Sequence, residues 1–585
     1  METKQIIQRD DAYYQIYGDK YIQKIDYLRK LITEDETGEN IFKVVNFEAG
    51  LGKSRYTDII IREYLNEWNF DRKFLIVKRF NDESDRSAKT IEENSFIRDH
   101  VVVITAENWQ KWKKNAKELQ QKQVIIISHK RYIDLCENDA ERAIFTKDRH
   151  TLITDEKVNF PVYTYSYAIY SHIRQYISFK NSGLFDKACR TLNELATNNS
   201  TAITRIYPEI EKELLQQFTD MMKDEIRNQH DLKIKRKLEN FLETVLLLYD
   251  KNVLALHNSE ELYTLNRRHK HWGLKNNIIL DASAGIDGVY EVHSKFKMQR
   301  QTRLIDHSES KFIHIKMNTS KSAIGENQKK YFEKIVPMIK ERHIEGEKTL
   351  LVIQKRFADD LHKEMKKAFG ADNVWKDKDD KENDPDYNNQ PYAVSWFGNL
   401  IGKNTFSDFD NVWILGTPNI PNAHYLIHYM QYADQTLGKN RTQVDNRGKF
   451  KNSKFRAIQD GYIAAEIYQS IKRIQRNPKP KGKFYIVTKD EEIVHKVLSQ
   501  MRNATLTETI EVKGEQKEKS AKQPTNIDKV VQYIRELIVN GAKKIHKSDV
   551  QKQFEFKIKW ERVKAHKEFK ELKLKDEYHY FIVLK

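Results

Sequence analysis

The segment Glu48–Ser54, EAGLGKS, stands between the apolar run FKVVNF and the amphipathic stretch TDIIIREYLNEW. A strand that feeds a glycine-rich turn and then a helix aims backbone N–H groups at an anion. Gly50 and Gly52 leave the room, and tolerate the positive φ, that a phosphate cradle demands. In such a loop Lys53 reaches the β- and γ-phosphates of a nucleotide and Ser54 ligates Mg²⁺, while Glu48, Ala49 and Leu51 complete the turn. The full Walker A pattern has another glycine five residues before Gly52, where this chain has Phe47.

The rhythm around that loop predicts an α/β fold. FLIVKRF, VVVITAENW, VIIISHKRY and TLITDE are short apolar runs that alternate with helical periodicity, as buried parallel strands do. From about residue 160 to 275, Leu, Ile and Tyr recur at helical spacing and no strand signal appears, so a helical insertion is expected. NNIILDASA then restores a strand. FIHIKM, TLLVIQKRF, PYAVSWF, DNVWILGTP and GKFYIVTKD make a second block of the same kind. The expected architecture is two RecA-like doubly wound parallel-sheet domains, an α-helical insertion and a small α+β winged-helix-like C-terminal domain. Its boundaries are 1–159 for the nucleotide-binding domain, 160–275 for the insertion and 276–305 for the return to the first domain. The second domain follows over 306–505, then a linker over 506–526 and the C-terminal domain over 527–585. KDKDDKENDPDYNNQ, around 376–390, is expected to be a solvated loop. In the C-terminal segment, IDKVVQYIRELIV, KSDVQKQF and WERVKAHKEF are expected to be helices, with LKL and YHYFIVLK pairing as a hairpin.

Composition narrows the function classes. With 585 residues, 27 Phe and 29 Tyr the chain can build several cores, so disorder is excluded. Lys and Arg exceed Asp and Glu by 102 − 85 = 17, a surplus that favours polyanionic partners. The two cysteines, Cys136 and Cys189, cannot supply a four-thiolate metal site or a disulfide framework. The chain has no apolar run of the roughly 18 residues that span a bilayer, so a cytoplasmic protein without a membrane partner is expected.

Two later segments carry chemistry that the loop alone cannot. LITDE ends an apolar strand in Asp155 and Glu156, the pair that metal-assisted hydrolysis needs: one carboxylate to hold Mg²⁺ and one to polarise the attacking water. QSIKRIQR places Gln469, Arg473 and Arg476 at spacings of four and three, roughly one helical face. Arginines presented across a cleft neutralise charge developing on a γ-phosphate. Taken alone, such a run reads as a basic solvated helix face.

Together these segments resemble motifs I, II and VI of superfamily-2 helicases, whose last motif reads Q-x-x-G-R-x-x-R. Gln469, Arg473 and Arg476 match it, and Lys472 replaces the glycine. The order and spacing match across about residues 20 to 500. ILDASA resembles motif III, with Asp281 and Ser283 for its serine and threonine. ISHKRY, at Ser128, resembles a strand-end motif that contacts the nucleic-acid backbone, as does the stretch after FLIVKRF. Gly402 and Asn404 stand where motif V has Gly and Asp, and Gln23 is a candidate for the adenine-reading glutamine. The insertion is similar in placement to the arch of iron–sulfur repair helicases, although two cysteines cannot hold such a cluster.

The resemblance implies an ATP- and Mg²⁺-dependent helicase or translocase acting on nucleic acid, with DNA favoured over RNA. Ser54 and Asp155 would hold the metal. Glu156, Arg473, Arg476 and Gln469 would be catalytic. The loop Glu48–Ser54 with Gln23, Gly402 and Asn404 would bind the nucleotide. A protein partner could dock through the C-terminal domain or the insertion. Two alternatives stay open: a duplex translocase that does not unwind, and a nucleic-acid-binding regulator with residual ATPase.

Overall fold

The computed structural model describes residues 6–7, 11–67, 69–93, 99–198, 200–377, 390–400, 402–435, 437, 442–445, 447–512 and 526–584. The chain divides into two compact units, Met1–Glu511 and Val512–Lys585.

In the first unit the chain enters a sheet with β1 (Phe42–Val45), β2 (Phe74–Lys78), β3 (Val101–Ile104), β4 (Val124–Ser128) and β5 (Thr151–Asp155). It leaves for the insertion, which holds β6 (Tyr163–Ser166), β7 (Ser200–Ile206), β8 (Ala255–Ser259) and β9 (Glu261–Thr264). It then returns with β10 (Asn276–Leu280) and β11 (Phe296–Gln299). The resulting seven-stranded sheet has the order β11-β1-β10-β5-β2-β4-β3, and every pairing is parallel. Its strands are apolar runs because both faces are covered. Leu75, Val77, Ile125, Ile127 and Leu152 enter one core, while Phe74, Ile76, Val124, Ile126 and Ile153 enter the other.

The insertion is not helical throughout. Its helices Ser182–Ala196, Lys212–Asn228 and Leu232–Tyr249 lie where their periodicity predicts. Beside them stands an antiparallel sheet of order β6-β9-β8-β7. Phe185, Leu192, Phe218, Leu238 and Val245 join Tyr165 and Leu262 of that sheet in one core. Its strands escape a pattern search because ALHNS and ELYT are short and interrupted by polar residues.

The second lobe contains β12 (Lys311–Lys316), β13 (Thr349–Ile353), β14 (Val374–Lys376), β15 (Tyr392–Trp396), β16 (Asn411–Ile414), β17 (Lys483–Val487) and β18 (Leu506–Glu511). Their order is β14-β15-β13-β16-β17-β12-β18, again all parallel. The strand β18 corrects the linker expected from residue 506 onward. Its residues LTETIE are largely solvent-facing, as an edge strand permits, and so read as linker. Residues 513–525 of that linker, and 378–389 of the expected solvated loop, lie outside the described residues. Helix Asn422–Ala433 of this lobe packs back onto the first: the Tyr432 hydroxyl donates to the Val158 carbonyl at 2.8 Å.

The second unit runs helix Asn526–Val539, β19 (Lys544–His546), helices Lys547–Lys552, Trp560–Ala565 and Lys567–Glu571, then β20 (Leu574–Asp576) and β21 (Tyr580–Val583). The three strands form an antiparallel sheet of order β19-β21-β20, which includes the expected hairpin. The expected single helix over WERVKAHKEF is broken at His566, whose backbone is extended. Val530, Ile534, Ile545, Val550, Val563 and Phe581 make this unit's own core.

Candidate nucleotide site and the cleft beside it

The loop after β1 bends at Gly50 (φ 97°) and Gly52 (φ 78°), both left-handed, and opens directly into helix Lys53–Asn66. No side chain caps that helix start, so its first N–H groups face the loop's concavity. The members of the loop differ in where they point. Glu48 is buried and its carboxylate accepts from the Leu304 amide at 2.6 Å, so it braces the loop against the chain leading to the second lobe. The Leu51 carbonyl accepts from the Tyr21 hydroxyl at 3.2 Å. Burial pulls the Lys53 pKa down, and Asp155, Asp281 and Glu156 oppose that shift.

Asp155 ends β5, between β10 and β2, at the carboxyl edge where ligands bind in open parallel sheets. Burial works against its ionisation. Lys78, a hydrogen bond from Ser54, and Lys53 outweigh it and hold the carboxyl below its ordinary value. Lys78 ends the neighbouring strand. Its Nζ is 3.1 Å from Asp155 Oδ2 and 3.8 Å from Asp58 Oδ1, in a pocket that leaves the lysine side chain 4% exposed. Burial disfavours the ammonium, but the two carboxylates win and raise its pKa.

Glu156 takes a left-handed backbone (φ 67°), rare for a residue with a β-carbon, and its amide donates to the Leu280 carbonyl at 3.0 Å. Its Oε2 is buried with no hydrogen-bond partner, and the nearest cation, Arg79 Nη1, stands at 3.5 Å. Burial raises this carboxyl's pKa against the pull of Arg79 and Arg473.

The arginines do not share a helical face. Helix Ser453–Ile471 ends before them, Lys472 closes it, and Gln475 is left-handed at φ 48°. Gln469 therefore sits on the last turn, while Arg473 and Arg476 lie in the bend that follows. The side chain of Lys472 is buried and reaches His307 Nε2 at 3.3 Å, which anchors the bend from beneath. Burial depresses its pKa to about 8. Arg473 is 6% exposed, its Nη1 donates to the Lys403 carbonyl at 3.3 Å, and its Nε has no partner. Arg476 donates from Nε to the Lys472 carbonyl and from Nη1 to Asn404 Oδ1.

Across the cleft, Glu156 feels the charge of Arg473, and Lys53 that of Arg476. Gln469 Nε2 donates to Ser283 Oγ at 3.3 Å, and Ser283 Oγ donates to Asp281 Oδ1 at 2.6 Å. Gly402, left-handed at φ 76°, lies so near the first lobe that a β-carbon there would meet Glu83 Oε1 at 2.3 Å.

No protein-family model and no curated protein matches the chain. Solved structures do. An apo structure of XPD superposes with a TM-score of 0.55 at 14% identity, covering 85% of this chain and 100% of that one. An XPD helicase structure gives 0.55 at 14%, covering 84% and 99%. The Xpd4 structure of S. tokodaii gives 0.51 at 10%, covering 83% and 99%. The fold is the one these XPD structures share.

Within that fold the structure brings Lys53, Ser54, Asp155, Glu156, Arg473 and Arg476 to one cleft. It leaves Gln23 exposed on helix Asp19–Thr33. What roofs the loop instead is aromatic. Tyr13 stacks on Tyr21 at 5.9 Å and Tyr21 meets Tyr56 edge-on at 6.0 Å. A β-carbon on Gly50 would lie 3.3 Å from the Tyr13 hydroxyl, and one on Gly52 3.1 Å from the Tyr56 ring. Sequence reasoning missed these tyrosines, and it missed Lys78. A lysine closing a wholly apolar strand was the available signal for the latter. Ser128, singled out for its strand-end position, caps helix His129–Asp134 by accepting from the Arg131 amide. His129 Nε2 donates to the Asp155 carbonyl at 2.8 Å.

Among the described residues, no helix is long and apolar enough to cross a membrane. Cys136 and Cys189 are both buried and free.

Proposed function

We propose that this chain is an ATP-driven motor that moves on nucleic acid, DNA in preference to RNA. The observation that carries the reading is the convergence of charged groups of both lobes on one cleft: Lys53 and Glu156 of the first lobe lie within electrostatic reach of Arg476 and Arg473 of the second. Lys53 and the helix start behind it would bind the β- and γ-phosphates. Glu156 Oε2, buried and without a hydrogen-bond donor, would accept a proton from the attacking water. Arg473 and Arg476 would stabilise the charge that develops on the γ-phosphate as the lobes close. Ser54 and Asp155, a hydroxyl and an ionised carboxylate already in contact, are the hard oxygen donors that suit Mg²⁺. The bound ion supplies charge neutralisation on the phosphates. Of the tyrosines, Tyr21 and Tyr56 are buried, so the half-buried Tyr13 would be the ring that meets the nucleotide base.

The chain Gln469–Ser283–Asp281 would couple the two lobes, so that closure on ATP shifts the first lobe against the second. The C-terminal unit, with its short helices and hairpin, would act as a winged helix and hold the motor on its track through phosphate contacts.

ATP turnover measured side by side with single-stranded DNA, duplex DNA and RNA tests the reading. Stimulation by at least one polymer is expected, together with loss of phosphate contact in Lys53→Ala and stalled hydrolysis with retained binding in Glu156→Gln. Wild-type turnover in Glu156→Gln would remove LITDE from the site. Strand displacement beside triplex displacement separates unwinding from duplex translocation.

A further inference from the structure

The insertion and the first lobe enclose a cavity of about 1290 Å³. Arg79, Phe80, His129 and Lys130 line it from the first lobe, and His172 and Lys237 from the insertion. Its carboxylates are already occupied. Asp134 pairs with Lys130 at 3.0 Å, Glu137 with His269 at 3.0 Å, and Glu243 accepts from the Tyr163 hydroxyl. Arg79 is different. Its guanidinium lies at the boundary between this cavity and the catalytic cleft, and its one ion pair among the described residues is the 3.5 Å approach to Glu156 Oε2. That Glu156 oxygen has a countercharge but no hydrogen-bond donor.

We infer that Arg79 is a coupling residue: it holds Glu156 idle until a nucleic-acid phosphate in this cavity draws the guanidinium away. The inference rests on the ATPase reading above. Its physical basis is competition for one fork of donors. A phosphate offers oxygens in the geometry that a guanidinium binds bidentately, and such a contact is stronger than a single long ion pair. While Arg79 faces Glu156, it stabilises that carboxylate's negative charge and opposes transfer of a proton to it. Once the arginine turns into the cavity, Glu156 Oε2 is a buried acceptor with no competing cation on that side, free to take a hydrogen bond from the attacking water. Arg79 touches no reacting atom in this scheme. It acts through Glu156 and is a positioning residue. The occupant is a polynucleotide strand. The net surplus of 17 basic residues favours a polyanion, and Phe80 beside Arg79 offers a ring for a base.

The experiment compares wild type with Arg79→Gln in the full-length protein, with and without poly(dT). Arg79→Gln is expected to turn over ATP several-fold faster than wild type without DNA and to gain almost nothing when DNA is added. The double variant Arg79→Gln/Glu156→Gln is expected to lose the extra turnover, because it must pass through Glu156. The log–log salt slope for DNA binding should fall by about 1, the share of one phosphate contact. Retained binding of a fluorescent ATP analogue certifies the folded site. If Arg79→Gln fails that control, Arg79→Lys is read by the same criteria, since a point charge keeps the stem but not the fork. A DNA-free rate at or below wild type, or an undiminished stimulation ratio, overturns the inference alone. A wild type that no strand stimulates overturns the ATPase reading and the inference together.

Discussion

A β-carbon placed on Gly461 would lie 2.7 Å from the amide nitrogen of Gly288 and 2.6 Å from the Ile286 carbonyl oxygen. The reciprocal β-carbon on Gly288 would lie 2.8 Å from the Ala457 carbonyl. Helix Ser453–Ile471 and the turn Gly288–Glu291 thus meet backbone to backbone. That contact seats the end of the helix over Ser283, and so sets where the bend carrying Arg473 and Arg476 begins.

Gly461→Ala is therefore expected to destabilise the protein. Alanine gains about 1 kcal/mol of helix propensity over glycine, but forcing a methyl into a filled contact costs about 1–3 kcal/mol. The clash is with backbone on both sides, so it should outweigh the gain in propensity. Urea denaturation would show it as a lower midpoint, with ATP turnover falling alongside. A raised midpoint would mean that the helix can slide away from Gly288.

Lys78→Met tests the buried triad. It leaves Asp58 and Asp155 without their shared counter-ion, and breaking a buried pair from one side costs about 3–5 kcal/mol. Lys78 has a raised pKa, so its contribution is present below the unfolded lysine value and lost only as pH climbs through the folded one. The stability that wild-type Lys78 supplies should accordingly be constant across neutral pH. Denaturation of the variant at pH 7 within about 1 kcal/mol of wild type, well under the lower bound of about 3, would deny the triad a structural role.

Arg473→Ala and Arg476→Ala are each expected to lower turnover on the order of a thousandfold while leaving nucleotide affinity within a small factor. Asn404→Ala, which only releases Arg476 Nη1, should cost far less. Single-turnover rates paired with melting curves separate the outcomes. A lower melting temperature with turnover per folded molecule unchanged would assign the arginines to structure.

Removing the C-terminal unit after Glu511 should leave basal turnover nearly intact, weaken nucleic-acid binding and flatten its salt dependence. Within that unit the lysines are not equivalent. Lys547 and Lys564 pair with Asp576, whereas Lys543, Lys557 and Lys559 are exposed and make no ion pair among the described residues. Glutamine at the latter three should lower the salt slope. Identical slopes for the full chain and the truncation would assign the unit to a protein partner.

Burial pushes the Cys136 thiol up to about 11 and the Cys189 thiol up to about 12. Both should therefore resist maleimide at pH 8 in the native protein and react on unfolding, because the thiolate is the nucleophile. Quantitative labelling of the native chain within minutes would show that one of these cores opens.

Local pattern was enough to reveal the two parallel sheets and the glycine-rich turn between β1 and the helix after it. β2, β4, β5 and β13 are runs of apolar residues covered on both faces, and such a run states its structure locally. Gly50, Gly52 and Lys53 are equally local, since a strand, a turn and a helix start occupy one continuous segment. Long-range packing set what local patterns do not encode. β6, β7, β8 and β9 are interrupted by polar residues and do not announce themselves, and become strands only because the insertion's helices cover one face. β18 exists because β12 leaves an edge to pair with. The arginines leave their helix where the buried Lys472 is drawn down toward His307. Lys78 meets Asp155 only because β2 and β5 are neighbours in a sheet, although the two residues lie 77 positions apart along the chain. Arg79 reaches Glu156 by the same adjacency. Which charges confront one another is set by strand order, and strand order follows from burying both faces of the whole sheet at once.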